Sequence, residues 1–89
     1  MPRMIITHNV ADVGNWLSFK EERKGAISAM GGTEIVDHAA QDGSNAVAIT
    51  FESSDVDAIM SSLASPPPEL AAAMERHGVL PPLTVYVQG

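Results

Sequence analysis

The chain has 89 residues with 5 basic and 11 acidic side chains, a formal net charge of −6, and its length predicts a single domain over residues 1–89. The acidic balance argues against nucleic acid as a partner, because phosphate binding needs clustered positive charge. The lack of cysteine excludes disulfides and thiolate metal sites, and no apolar run approaches the roughly 20 residues of a membrane span, so we expect a cytoplasmic protein with no membrane partner.

The first predicted element is a strand over residues 4–10, MIITHNV. Alternate side chains of a strand point to opposite faces, and both faces of this strand carry apolar residues, so the strand is predicted to be covered on both sides. His8 faces away from Thr7 and Asn9. The sequence leaves open which of these two sets lines a cavity.

A helix is predicted to begin with Asp12 as its N-cap and to end at Gly31-Gly32, with Trp16 and Ile27 on its apolar stripe. The basic residues 20, 23 and 24 alternate with two glutamates, which is typical of a solvated helix face. We therefore expect Arg23 to lie at the edge of the apolar stripe with its charge in water.

Two further strands are predicted over residues 33–40 and 46–52, joined by the turn-forming segment 41–45. One face of the second strand carries only the small side chains of Ala46, Ala48 and Thr50. A void beside these residues would be costly unless something fills it. This face is therefore predicted to leave room for a partner or a ligand.

Ser53 or Ser54 is predicted to cap the next helix, which prolines 66–68 interrupt and restart and which Gly78 ends. A last strand is predicted over residues 83–87. The order β-α-β-β-α-β predicts an α+β, ferredoxin-like fold: a four-stranded antiparallel sheet with both helices on one face.

The helices of such a fold cover only one face of the sheet, although both faces of these strands are largely apolar. A soluble monomer rarely exposes an apolar patch of this size. A second copy stacked sheet to sheet would bury it, so we expect a homodimer that pairs two sheets into a dimeric α+β barrel.

Several short motifs together span nearly the whole chain: His8-x-Val10, Ala11-Asp12 with Trp16, Pro68-Glu69-Leu70 with Met74, Gly78-Val79, Pro81-Pro82 and Tyr86. In these the chain resembles the dimeric α+β barrel superfamily, and within it short bacterial cyclase-like or monooxygenase-like proteins. The resemblance implies a homodimer with a ligand-sized interior. Relatives include cofactor-free monooxygenases, polyketide cyclases, isomerases, haem-degrading enzymes and non-catalytic binding proteins, so the fold alone does not assign a function.

Haem-degrading members of this superfamily carry an asparagine in the first strand, a tryptophan on the second helical segment and a histidine ligand near its end. Asn9 and His77 match that pattern. The only tryptophan, Trp16, lies instead on the first predicted helix, so haem is disfavoured and no cofactor is expected.

His8, Asn9 and Tyr86 are the candidate catalytic residues: the histidine as a proton acceptor, and the amide or phenol as stabilisers of developing negative charge. A structural role remains open for each: a hydrogen-bonded buried histidine for His8, and dimer packing for Tyr86. His77 precedes the helix-ending Gly78, where the helix dipole favours a cation.

The candidate ligand-binding residues are Thr7, Trp16, His38 and Thr50. Trp16 equally fits helix–sheet packing, and His38 a surface position. A metal site formed by His38, His8 and Glu52 is the alternative, but no diagnostic spacing supports it, and no metal site is assigned.

The leading functional hypothesis is a homodimer that binds a small, largely apolar aromatic or polyketide-like ligand and acts on it as a cofactor-free monooxygenase or cyclase. The alternative is a non-catalytic ligand-binding or sensing protein.

Overall fold

The computed structural model describes residues 2–89. Its elements are β1 (Arg3–Val10), α1 (Val13–Ser18), α2 (Lys20–Ala29), β2 (Gly32–Ala39), β3 (Ala46–Ser53), α3 (Val56–Ala64), α4 (Pro68–Arg76) and β4 (Val79–Val87). The four strands form one antiparallel sheet in the order β2-β3-β1-β4. This is the predicted ferredoxin-like arrangement, which is confirmed. Within the residues described, no helix has the length and apolar character needed to cross a membrane.

The hydrophobic core lies between the sheet and the helices. Its largest fully buried side chains include Trp16 of α1, Phe51 of β3 and Ile59 of α3. In β1, the even-numbered residues 4–10 are buried toward the helices, whereas Thr7 and Asn9 face the opposite side. The orientation that the sequence left open is thereby decided, and His8 points toward the helices.

The first helix is interrupted, although the sequence pattern predicted a continuous one. Asp12 is its N-cap, as predicted, and accepts a hydrogen bond from the backbone N–H of Asn15 at 2.8 Å. α1 then ends at Ser18, and Phe19 departs from helical geometry before α2 begins. The interruption places Phe19 against α4, where its ring stacks on that of His77 with the centroids 4.6 Å apart.

The predicted cap of the third helix was wrong. Asp55 is the N-cap of α3, because its carboxylate accepts a hydrogen bond from the backbone N–H of Ala58 at 3.0 Å. The hydroxyl of Ser53 instead accepts from the Asp55 backbone N–H, and that of Ser54 donates to the carbonyl oxygen of Gly31, between α2 and β2.

The last strand begins earlier than predicted, at Val79, and so includes two prolines. β4 lies at the edge of the sheet. Proline is tolerated in an edge strand because its missing N–H group can face away from the neighbouring strand, so that no hydrogen bond of the sheet is lost.

The face of the sheet opposite the helices, here called the open face, carries exposed apolar side chains. Val36 is 49% exposed, Leu80 47% and Tyr86 54%. Between them run the small side chains of β3 at Ala46 and Ala48, which are half-buried. The predicted small-residue strand face therefore forms a shallow depression in this surface.

Candidate functional site

An enclosed space of about 60 Å³ lies between the sheet and the helices and is here called the inner cavity. Its walls are mostly apolar. They include Ile6, Ile27, Ile49, Phe51, Leu63 and Met74. Three polar side chains also line it, those of His8, Arg23 and His77.

His8 offers a free ring nitrogen at this cavity. Its Nδ1 lies 2.9 Å from the backbone oxygen of Asn9. Because a carbonyl oxygen can only accept a hydrogen bond, Nδ1 carries the proton and the Nε2 lone pair is left without a protein partner among residues 2–89. Burial lowers the pKa of His8, the hydrogen bond to Asn9 partly opposes this, and the positive charge of Arg23 lowers it further. The imidazole is therefore held neutral, as a general base requires.

Arg23 is buried at the centre of a polar network. Its Nε and Nη2 bind the two carboxylate oxygens of Asp37 at 3.3 and 2.8 Å, and Nη2 also donates to the carbonyl oxygen of Trp16 at 2.9 Å. The side chains of Arg23 and Asp37 are only 7% and 4% exposed. The guanidinium carbon lies 3.9 Å from the centre of the Trp16 ring, a cation–π contact. This pairing compensates a charge that could not otherwise be buried.

His77 continues the network toward the surface. Arg23 Nη1 lies 3.1 Å from His77 Nδ1. A guanidinium can only donate, so His77 Nδ1 accepts and Nε2 carries the proton that it shares with Glu22 Oε1 at 3.3 Å. Burial and the nearby Arg23 lower the pKa of His77, although Glu22 partly opposes them. Both ring nitrogens are thus occupied, and the neutral imidazole is not the helix-end cation suggested by the sequence.

Trp16 is fully buried and meets His8 edge-on, with the ring centroids 6.1 Å apart. Its indole Nε1 is buried and has no hydrogen-bond partner in the part of the chain that the structure describes. A buried donor without a partner is uncommon in a folded protein.

A second space, the open-face groove, lies on the other side of the sheet. It has a volume of about 500 Å³. Its lining includes Thr7, Asn9, His38, Ala48, Leu80 and Thr84. His38 Nε2 lies 3.0 Å from Thr50 Oγ1, so these two predicted ligand-binding residues are in contact.

The sheet separates the residues that sequence reasoning grouped together. The side chains of His8 and Trp16 lie on the helix side. Thr7, Asn9 and His38 line the groove, and Thr50 lies on the open face beside His38. Tyr86 shares the open face but lies beside Ile5, away from the groove. His8 therefore cannot act with Asn9 or Tyr86 on one ligand within a single chain.

The hypothetical metal site that paired His8 with His38 is wrong, because the two rings lie on opposite faces of the sheet. Among residues 2–89, no group of three or more potential metal-ligating side chains comes together.

Sequence reasoning missed Arg23, Asp37 and Glu22 as members of a site. The prediction that Arg23 belongs to a solvated face was wrong, because Asp37 compensates its charge in the interior and His77 accepts a hydrogen bond from it. The available signal was its spacing: Arg23 lies seven residues after Trp16 and four before Ile27, on the same helix face. Asp37 likewise occupies an inward position on β2.

The two buried histidines predict a loss of stability in mild acid. Their pKa values are below the ordinary 6.5 in the folded protein, so the unfolded chain binds more protons and the free energy of unfolding falls as the pH drops below that value. The slope approaches about 1.4 kcal/mol per pH unit for each histidine between its folded and unfolded pKa.

Urea denaturation from about pH 7.5 to about pH 5 measures this slope and stays above the range in which carboxylates titrate. The double variant His8→Gln/His77→Gln should have a flatter profile. Equal slopes for the variant and the native protein would contradict the assignment.

No family model and no curated protein sequence matches the chain. Solved structures do. One is described as an antibiotic biosynthesis monooxygenase: it aligns with a TM-score of 0.66 at 12% identity, over 100% of this chain and 97% of its own. A candidate antibiotic biosynthesis monooxygenase from Bordetella bronchiseptica aligns with a TM-score of 0.66 at 13% identity, over 99% of this chain and 94% of its own. This chain has their fold.

A third similar structure is a dimeric ferredoxin-like protein from an uncultured marine organism. It aligns with a TM-score of 0.61 at 8% identity and covers 100% of this chain and 93% of its own. This likeness again shows the fold alone, and identities this low carry no residue roles from one protein to the other.

Proposed function

We propose that the protein works as a cytoplasmic homodimer in which each chain binds a small, largely apolar aromatic or polyketide-like compound in its inner cavity. His8 acts there as the proton acceptor. One observation carries the proposal: a buried, neutral histidine lines an apolar space, and its Nε2 has no hydrogen-bond partner among residues 2–89. Perturbed titratable groups in such spaces are concentrated at functional sites.

The chemistry begins with removal of a proton from an acidic O–H or C–H group of the ligand by His8 Nε2. Arg23 also lines the cavity, and its guanidinium N–H groups favour the resulting electron-rich anion, although Asp37 already balances the charge of the guanidinium. Such an anion is the species from which either cyclisation or reaction with molecular oxygen starts without a cofactor. The fold shared with monooxygenases supports the second course.

The inner cavity has to widen for this role. A space of about 60 Å³ holds a few water molecules, whereas pockets for organic ligands usually measure about 300–1,000 Å³. Met30 and Met74 line the cavity, and methionine side chains change conformation easily. We therefore expect these two side chains to move and the cavity to widen when a ligand binds.

Binding of 2-naphthol, a neutral aromatic alcohol, tests the proposal. The chain has five methionines, so carbon-13 labelling of their methyl groups gives a small set of NMR signals. Those of Met30 and Met74 should shift on titration, because both line the inner cavity. Met60 is exposed at 42% and is the internal control. Saturation with no shift at Met30 or Met74 would contradict the site.

The dimer is proposed from the open face, where Val36, Leu80 and Tyr86 would otherwise expose apolar surface. Sedimentation of the native chain should give twice its 9.4 kDa mass. Tyr86→Lys and Val36→Asp should each shift the protein toward the monomer, because an unpaired charge would be buried at the interface.

Leu17→Lys is the matched control for the dimer, since this exposed apolar side chain lies on α1, away from the open face. A well-folded native monomer at micromolar concentration would end the dimer proposal.

The open-face groove supports a second candidate function, non-catalytic binding. Its volume of about 500 Å³ already fits a ligand, and a partner sheet would close it. His38, Asn9 and Thr7 would then hold the compound. In the same titration, shifts of the His38 ring signals with unchanged Met30 and Met74 would favour this function.

A further inference from the structure

A third space, here called the vestibule, lies on the outer side of α2 and α4 and has a volume of about 350 Å³. Four side chains line both the vestibule and the inner cavity: Ala26 and Met30 of α2, and Leu70 and Ala73 of α4. A single layer of side chains therefore separates the two spaces, and two of its members are alanines.

Glu22 and Arg76 join the two helices at this place. Their side chains form an ion pair across the mouth and are 40% and 53% exposed. Exposed ion pairs of this kind contribute little to stability and are screened by salt. The pair can therefore open at small cost and close again around a ligand.

Glu22 also connects the mouth to the interior. The oxygen that accepts from Arg76 also lies 3.3 Å from His77 Nε2, and His77 in turn contacts Arg23. The carboxylate thus has one partner at the surface and one at the wall of the inner cavity. Its pKa is lowered, mainly by the hydrogen bond from Arg76.

We propose that ligands reach the inner cavity from the vestibule by separation of α2 and α4, and that the Glu22–Arg76 pair is the gate. This inference rests on the proposed function, because it takes the inner cavity as the binding site. When the helices separate, the vestibule and the cavity join into one elongated space, which removes the mismatch between the closed cavity and a ligand of ordinary size.

The charges at the mouth indicate the class of ligand. Glu22 and Glu69 line the vestibule against the single cation Arg76, so anionic compounds are disfavoured there, as they are by the charge of −6 on the whole chain. The gate therefore disfavours anions, and the largely apolar walls of the inner cavity favour neutral aromatic compounds.

A passage between α4 and β4 is the competing route. A space of about 280 Å³ outside these elements shares Met74, Val79 and Leu83 with the inner cavity. All three side chains are larger than alanine, and β4 is held along β1 by the sheet ladder. This wall is thicker and its strand is less free to move than a helix joined by one exposed ion pair.

The test uses the double variant Glu22→Cys/Arg76→Cys, which places two thiols in a chain with no native cysteine. A short bis-methanethiosulfonate linker joins the helices, and a reductant releases them. Stopped-flow fluorescence then measures the uptake of 2-naphthol by the linked and the released protein. We expect the linked form to take up 2-naphthol at least about tenfold more slowly, and the released form to be as fast as the native protein or faster.

The same variant treated with methyl methanethiosulfonate is the control for thiol modification and should stay fast. Equally fast uptake by the linked form would overturn this route. Absence of 2-naphthol binding to the native protein would instead refute the proposed function, so the two failures are distinguishable.

Ala26→Leu provides a second variant in case the double variant does not fold. It thickens the shared wall without touching the ion pair and should also slow uptake. Unchanged uptake in a folded Ala26→Leu protein would likewise count against the route. 2-Naphthoate, the anionic counterpart, should bind native protein at least about tenfold more weakly than 2-naphthol, and equal binding would contradict the charge selection.

Discussion

Replacement of Arg23 by methionine is expected to lower the free energy of unfolding by about 3–5 kcal/mol. The reason is Asp37, whose side chain is 4% exposed and would lose both of its guanidinium contacts. A loss of this size is comparable to the whole stability of a small domain, so Arg23→Met should be largely unfolded under conditions in which the native protein is folded. Urea denaturation followed by circular dichroism measures the difference.

Two control variants separate the charge effect from a general effect of mutating α2. Lys24→Met changes the neighbouring exposed residue of the same helix and should shift stability by no more than about 0.5 kcal/mol. The double variant Arg23→Met/Asp37→Leu removes both charges and should recover a large part of the loss. Equal stability of Arg23→Met and Lys24→Met would show that the buried pair does not hold the fold.

Replacement of His8 by alanine is expected to reduce turnover by about 10²–10⁴-fold, the usual contribution of a general base. The assay follows phenols and anthrone-like compounds under air, with products detected by mass spectrometry. Rates for the native protein should be retained at pH 6.5 and fall only at lower pH, because the pKa of His8 is lowered below its ordinary value and the imidazole stays neutral down to that lowered pKa.

His38→Ala is the matched control, since this histidine lies at the open-face groove on the other side of the sheet. It should leave turnover unchanged. The reverse result, loss with His38→Ala and none with His8→Ala, would move the site to the groove. Binding without any product from the native protein would favour the non-catalytic alternative.

The fold could be predicted because it depends on patterns that act over short distances. Asp12 caps a helix through a neighbouring backbone N–H, and prolines 66–68 interrupt one for steric reasons. Ser53, Ser54 and Asp55 are all residue types that favour the N-cap position, and the sequence alone did not select among them.

The candidate site was predicted in part. His8 was identified as a candidate base. The alternation of side chains along β1 indicated that His8 and Asn9 point to opposite faces of the sheet, but it did not indicate which of the two faces the helices. Arg23 was assigned to the solvent because helical spacing places a residue on a face without revealing what lies opposite it. Its partners Asp37 and His77 are 14 and 54 residues away in sequence.

The sequence by itself determined the order of strands and helices, the small-residue face of β3 and an open sheet face that lacks a helical cover, because periodicity and turn chemistry are local properties of the chain. Only the tertiary structure decided that Arg23 is buried, that the Nε2 of His8 is free and that His38 lies across the sheet from His8. These facts depend on contacts between elements distant in sequence, where the burial of a charge is acceptable only if the fold brings its counter-charge to the same place.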